Sequence, residues 1–212
     1  MLKIAIFDSG YGGELLADYI ENELPVVEII RIIDWRHADK IQKSPKFARK
    51  FAELAIRPYL GRVDLIIFAN WLVSLTSLKY FRHKYKTQAF IGLKLPPSAS
   101  SKSCILTTKS LSRTFACKHF AHKNKSKVFA LDDWPLLIDD GELGHSKIRR
   151  DLSTATIRHS RQAILACSQF ADVSDELRKV LGYNTKITTS FDIVLRETCQ
   201  ILKIRGGLKK LK

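Results

Sequence analysis

Residues Ile4-Ala5-Ile6-Phe7-Asp8-Ser9-Gly10-Tyr11-Gly12-Gly13 set the reading of the whole chain. Four apolar residues in succession, without the alternation of a half-exposed strand, predict a strand buried on both faces. The run stops at Asp8. The glycines beyond it suit a tight turn into a helix whose first backbone N–H groups face the space past the strand end. Placed there, Asp8 can hold an ammonium group or orient a base, and Ser9 can hydrogen-bond a ligand. The same two residues would also serve as helix N-caps.

Working outward, the pattern repeats. Apolar runs at 26–33, 64–69 and 89–93 read as further buried strands, and amphipathic stretches at 14–24, 45–60 and 72–85 as helices between them. Pro25 stops the first helix and Pro45 suits the first turn of the second. Residues 94–102, with Pro96, Pro97 and several serines, read as a linker. The pattern then restarts, with strands expected at 103–107, 127–131, 163–166 and 186–189. Helices are expected at 111–122, 147–161 and 174–181, and a closing helix at 191–204 packs back on the first lobe. Strand–helix alternation of this kind predicts an α/β protein of two pseudo-symmetric lobes, each a parallel sheet flanked by helices, with a ligand cleft between them. The expected division is residues 1–95 with about 190–212, and residues 96–189. Ligands of open parallel sheets bind beyond the carboxyl ends of the strands. That singles out Asp8-Ser9-Gly10, Asn70, Thr107-Thr108 and Cys167-Ser168.

Composition narrows the class. The chain of 212 residues is 45% hydrophobic and 27% charged, which excludes disordered, collagenous and coiled-coil proteins. No apolar run reaches the roughly 18 residues of a membrane span. Met1 leads straight into the first strand without a signal-peptide pattern, so the expected location is the cytoplasm. The four cysteines, Cys104, Cys117, Cys167 and Cys199, have neither CxxC pairing nor ligand spacing to histidine. They read as reduced thiols, with no metal site. The net charge is +15, and residues 65–131 contain no acidic residue. Such a field attracts nucleic acid, acidic proteins and acidic metabolites alike.

The segments that carry function resemble the aspartate/glutamate racemase superfamily, glutamate racemase above all. The strand ending Phe7-Asp8-Ser9-Gly10-Tyr11-Gly12-Gly13 is similar to the family's opening motif, F-D-S-G-x-G-G. Ile33-Asp34 with Lys43-Ser44 resembles its G-D…Y-G-x-K-S segment, except that Asp39-Lys40-Ile41 replaces the Pro-Tyr-Gly that meets a substrate carboxylate. Ile66-Ile67-Phe68-Ala69-Asn70-Trp71 lies where the family has I-A-C-N-T. Asn70 is kept, Ala69 replaces the first catalytic cysteine, and Trp71 replaces a threonine and implies a reshaped, narrower pocket. Ile105-Leu106-Thr107-Thr108 resembles the strand ending A-T. Leu137-Ile138-Asp139-Asp140-Gly141 is similar to L-I-E-x-G. Leu165-Ala166-Cys167-Ser168-Gln169-Phe170 lies where the family has L-G-C-T-H-Y, so the second cysteine is kept as Cys167 and the histidine has become Gln169.

The resemblance implies cofactor-free chemistry in which one thiolate removes the α-proton and another delivers a proton to the opposite face. Cys167 and Asp8 are then the candidate catalytic groups. Ser9, Asn70, Thr108, Ser168 and Asp139 are candidate substrate-binding residues, and Ala69 and Gln169 are lost catalytic positions. An alanine methyl transfers no proton, and an amide is no general acid or base. The expectation is therefore a glutamate racemase-like protein without efficient racemase activity that still holds an acidic amino acid or related small acid. The alternatives are an enzyme using Cys167 alone, such as a decarboxylase or isomerase, and a basic protein that binds nucleic acid or an acidic protein. The resemblance implies no cofactor and leaves room for a homodimer.

Overall fold

The structure, a computed structural model, describes residues 1–100, 102–153, 157 and 160–204. Two compact units divide the chain, one comprising Met1–Lys94 and the segment from Ser190, the other Leu95–Thr189.

In the first unit the strands are β1 (Leu2–Asp8), β2 (Val27–Ile33), β3 (Leu65–Phe68) and β4 (Phe90–Gly92). The helices are α1 (Gly12–Glu23), α2 (Ala38–Lys43), α3 (Pro45–Ile56) and α4 (Trp71–Lys84). The sheet is parallel throughout, in the order β2-β1-β3-β4. Ile4, Ala5, Ile6 and Phe7 are fully buried, as expected of a central strand covered on both faces. Each large apolar side chain so buried contributes about 1.5–3 kcal/mol. Phe68 of β3 anchors the α3–α4 side, its ring centroid 4.7 Å from Phe81 and 5.8 Å from Phe90.

In the second unit the strands are β5 (Ser103–Thr107), β6 (Lys127–Ala130), β7 (Gln162–Ala166) and β8 (Lys186–Thr188). They form a second parallel sheet in the order β6-β5-β7-β8, the same winding as the first. Its described helices are α5 (Lys109–Ser112), α6 (Phe115–Asn124), α7 (Trp134–Asp139), α8 (His145–Asp151) and α9 (Ser174–Leu181). The closing helix α10 (Phe191–Ile201) belongs to the first unit. Tyr19 of α1 donates a 2.6 Å hydrogen bond to Asp192, and Lys94 pairs with Glu197.

The α/β class, the two parallel sheets and the flanking helices are as the pattern predicts. Several helices differ in extent. The expected helix over 45–60 ends at Ile56, because Pro58 has no N–H to continue it and a 3₁₀ turn, Arg57–Tyr59, follows. The helix expected over 111–122 is two, divided at Thr114, whose hydroxyl caps α6 by accepting from the Cys117 N–H. The helix expected over 147–161 begins at His145 and ends at Asp151, and positions 154–156, 158 and 159 of that expectation lie outside the described residues. The closing helix stops at Ile201, short of 204. The sequence reading assigned no element to α2 or α7, each six residues long and too short for a clear helical period.

Candidate functional site

In a sheet wound 2-1-3-4 the chain leaves the first strand toward one edge and returns to the other side of it. The gap beyond the carboxyl ends of the first and third strands is therefore the ligand position. In the first unit that gap lies beyond β1 and β3. Asp8 ends β1, and Ala69 and Asn70 follow β3.

Asp8, Ser9 and Asn70 form one hydrogen-bonded cluster. Asn70 Nδ2 donates to Asp8 Oδ1 at 3.1 Å and to Ser9 Oγ at 3.0 Å. The Ser9 N–H donates to the same Asp8 oxygen at 2.7 Å. Asn70 Oδ1 accepts from the Val73 N–H at 3.1 Å and so caps α4. All three side chains are buried, and each is hydrogen-bonded, as buried polar groups require. Both amide hydrogens of Asn70 are thus engaged within the protein, and its visible work is to orient Asp8 and Ser9.

Neither Asp8 nor Ser9 caps α1. Its N-cap is Tyr11, whose side chain makes no capping hydrogen bond to the helix. The glycines act differently from the tight-turn expectation. Gly10, Gly12 and Gly13 are not among the glycines of positive φ. A Cβ at Gly13 would stand 2.6 Å from Asp8 Cβ and 2.8 Å from Ile33 Cδ1, so Gly13 is what allows α1 to begin against Asp8.

Ala69 is fully buried, and its N–H donates to the Phe7 carbonyl at 2.8 Å, continuing the β1–β3 ladder one residue. Trp71 begins α4 and is also buried. Ser74, which sequence reasoning missed, ties β3 to the segment after β4. Its hydroxyl donates to the Phe68 carbonyl at 2.8 Å and accepts from the Leu93 N–H at 3.0 Å. A Cβ at Gly92 would stand 2.6 Å from that hydroxyl oxygen. The available signal was the pairing of a small residue with a buried serine one helical turn after Asn70.

The equivalent gap in the second unit lies beyond β5 and β7. Thr107 ends β5, fully buried, and its hydroxyl donates to the Ala166 carbonyl at 3.1 Å, which joins the two strand ends. Thr108 follows, half-buried, with its hydroxyl 3.2 Å from that of Ser110. Cys167 follows β7 in extended conformation and precedes the 3₁₀ turn Ser168–Ala171, in which Ser168 and Gln169 are buried. None of the four cysteines forms a disulfide; Cys104, Cys117 and Cys199 are buried and Cys167 is half-exposed. Burial pushes the thiols of Cys104, Cys117 and Cys199 above the ordinary range. At those three positions it works against the reactive thiolate.

Gln169 is more than an absent histidine. Its Nε2 donates to Asp139 Oδ1 at 2.7 Å and to the Pro135 carbonyl at 3.4 Å. This turns Oε1 toward Cys167, whose Sγ lies 3.6 Å away. An amide oxygen only accepts, so that contact is made with the S–H. Desolvation, aided by Asp140, pushes the Asp139 carboxyl above its usual range, against the lowering effect of Gln169. Cys167, Gln169 and Asp139 therefore form a second cluster at the equivalent strand-end position. Among the described residues no group of three His, Cys, Asp or Glu side chains could hold a metal ion, and no helix is long and apolar enough to cross a membrane.

No protein-family model matches the chain. A glutamate racemase of Ralstonia pickettii is 25% identical over 96% of this chain and 77% of its own length. One of Clostridium novyi is 24% identical over 88% of this chain and 78% of its own. Among solved structures, Escherichia coli glutamate racemase in complex with L-glutamate and the activator UDP-MurNAc-Ala superposes with a TM-score of 0.84 at 20% identity. The match covers 96% of this chain and 83% of that one. The chain is thus related in sequence to the glutamate racemases of the aspartate/glutamate racemase superfamily and shares their two-sheet α/β fold.

Proposed function

We propose that this protein binds an acidic amino acid or a related small acid and does not racemise it efficiently. The observation that carries this reading is Ala69. It stands directly after β3, beside the Asp8–Ser9–Asn70 cluster, where the family motif that the sequence resembles has a catalytic cysteine. Racemisation without a cofactor needs a group to remove the α-proton and another to supply a proton on the opposite face. Asp8 is the one carboxylate of that cluster, and two donors already satisfy one of its oxygens. A carboxylate is a far weaker base toward a carbon acid than a thiolate is. Binding of a small acid is supported by the likeness to a racemase crystallised with L-glutamate.

The test is incubation of the protein with L- and D-glutamate in deuterium oxide, followed by proton NMR and chiral chromatography, with calorimetry for binding. The expected result is saturable binding without loss of the α-proton signal. Exchange of the α-proton together with loss of enantiomeric purity would overturn the reading.

A second reading is favoured by one observation, the half-exposed Cys167 with its S–H held toward Gln169. Such a thiol is a proton donor, and protonating one face of an enolate needs only one. On this reading Cys167 serves a decarboxylase or isomerase acting on malonate-type acids. Turnover that Cys167→Ala abolishes would select it, and no turnover across a panel of such acids would remove it.

A further inference from the structure

A cationic and aromatic face of the first unit takes no part in the strand-end cluster. Between Trp35 and Phe51 the sequence places Arg36, Lys40, Lys43, Lys46, Arg49 and Lys50 against a single acid, Asp39. α2 packs on α3, so these cations lie on neighbouring elements, and all six are exposed. Among the described residues none of the six has a carboxylate at salt-bridge distance, although Arg31 and Lys147, for example, each pair with more than one acid.

Aromatic rings run through the same face. His37, held by Asp34 at 2.9 Å, stacks on Phe51 with centroids 3.9 Å apart and planes 13° apart. Phe51 stacks in turn with Phe47 at 6.2 Å. The ladder ends at Phe47, which is 43% exposed, and Trp35 at 52% is the other exposed ring of this region. Beside Phe47 opens a cavity of about 460 Å³ lined by Lys46, Phe47, Arg49, Lys50, Glu53 and Tyr80. The guanidinium of Arg49 lies 4.7 Å above the Tyr80 ring. Glu53 does not oppose an anion there, because its carboxylate is engaged by Lys84 and by the hydroxyls of Tyr80 and Tyr85.

An exposed ring that terminates a stack, surrounded by cations with no acidic partner, suits a flat heterocycle joined to phosphate. Cations spread over two helices exceed what one phosphate engages and call for several in a row. We propose that the α2–α3 face binds single-stranded nucleic acid. One base stacks on Phe47 at the end of the His37–Phe51–Phe47 ladder. Phosphates meet Lys46, Arg49 and Lys50, and further along the strand Lys40 and Lys43. This inference is independent of the acid-binding reading.

The experiment is fluorescence anisotropy of the full chain with a labelled oligothymidylate of about 12 nucleotides, titrated at several salt concentrations. Wild type binds, with affinity falling steeply as salt rises. Phe47→Ala weakens binding by roughly tenfold, and Phe47→Trp, which keeps a stacking ring, restores it. Lys46→Glu with Lys50→Glu weakens binding further and flattens the salt dependence by about two phosphate contacts. Lys118→Glu with Lys123→Glu, on α6, is the control and changes affinity by less than about twofold. Thermal melts verify that each variant is folded.

Four results would overturn the proposal. The first is no binding at low salt. The second is equal affinity for wild type, Phe47→Ala and Phe47→Trp, which would mean diffuse charge alone. The third is an equal loss in the control pair. The fourth is competition by thymidine monophosphate or polyglutamate as effective as by unlabelled oligonucleotide, which would assign the face to a free nucleotide or to an acidic protein.

Discussion

The two strand-end clusters occupy the same topological position in sheets of the same winding, yet they are built for different work. Beyond β1 and β3 the groups are a carboxylate, a hydroxyl and an amide, mutually hydrogen-bonded and buried, with a methyl where a thiol would make the chemistry symmetrical. Beyond β5 and β7 a thiol is kept, but the group beside it is an amide that presents only an oxygen acceptor. The first cluster has lost its acid–base group and kept its scaffold. The second keeps a thiol, Cys167, whose S–H is directed at the Gln169 amide oxygen. Both contrasts are what the proposed reading, binding without efficient racemisation, rests on.

The scaffold claim for the first cluster is the easiest to break, because it carries the largest energy. Asn70→Ala removes the cap of α4 and the donor shared by Asp8 and Ser9, while the Ser9 N–H bond to Asp8 stays. Losing a cap costs about 1 kcal/mol and losing one hydrogen bond to a buried charged acceptor about 1.5 more, so the variant loses roughly 2.5 kcal/mol in urea denaturation. A loss below about 1 kcal/mol would mean that water or backbone satisfies Asp8 as well as Asn70 does. Gly13→Ala comes next. Its Cβ must displace Asp8 and Ile33, at about 2 kcal/mol measured in the same way, and acid binding falls with it. A variant equally destabilised elsewhere but retaining binding would separate this local displacement from general loosening.

These two positions also mark where the sequence was informative and where it stopped. β1 was legible because Ile4 to Phe7 admit only a doubly covered strand, and the parallel order followed from alternating strands and helices. Asp8, Ser9 and Asn70 were legible as strand-end residues. The reason for the glycines was not, since a tight turn and a close approach of helix to strand both call for glycine, and only coordinates show Gly13 against Asp8. The Gln169–Asp139 bond joins residues far apart in sequence. Read along the chain, Gln169 is simply a missing histidine and Asp139 a ligand-binding acid; that one holds the other depends on how α7 meets the turn after β7. The short helices α2 and α7 were missed for a related reason, as six residues carry too little periodicity to register.

The second cluster can be sharpened chemically. Gln169→His replaces an amide that turns its oxygen to Cys167 with a ring that can carry a proton beside the sulfur. The thiolate–imidazolium pair this permits raises the alkylation rate of Cys167 by iodoacetamide at neutral pH by about tenfold. Peptide mapping distinguishes it from Cys104, Cys117 and Cys199, which are buried and remain unmodified in the folded protein. An unchanged rate would mean that the side chain at position 169 does not set the reactivity of Cys167, and the contrast between the clusters would lose its second half.

The smallest effect concerns Asp139, and its sign is informative. Its carboxyl titrates above the ordinary range because desolvation outweighs the hydrogen bond from Gln169. The folded state therefore holds the proton more tightly than the unfolded chain does. The corresponding stabilisation is complete below the unfolded value near 4 and is lost as pH rises through the folded one. Asp139→Asn keeps an oxygen to accept from Gln169 Nε2 but cannot ionise. Wild type and variant should thus differ in how their stability changes between about pH 4 and pH 7, the variant gaining relative to wild type as pH rises. The side chain is exposed on its outer side, so solvent screening keeps the gain below about 0.5 kcal/mol. Paired denaturation curves across that range would resolve its direction. A relative loss on raising the pH would mean that the ionised carboxylate is the better partner for Gln169, and that the amide is held toward Cys167 by charge as well as by shape.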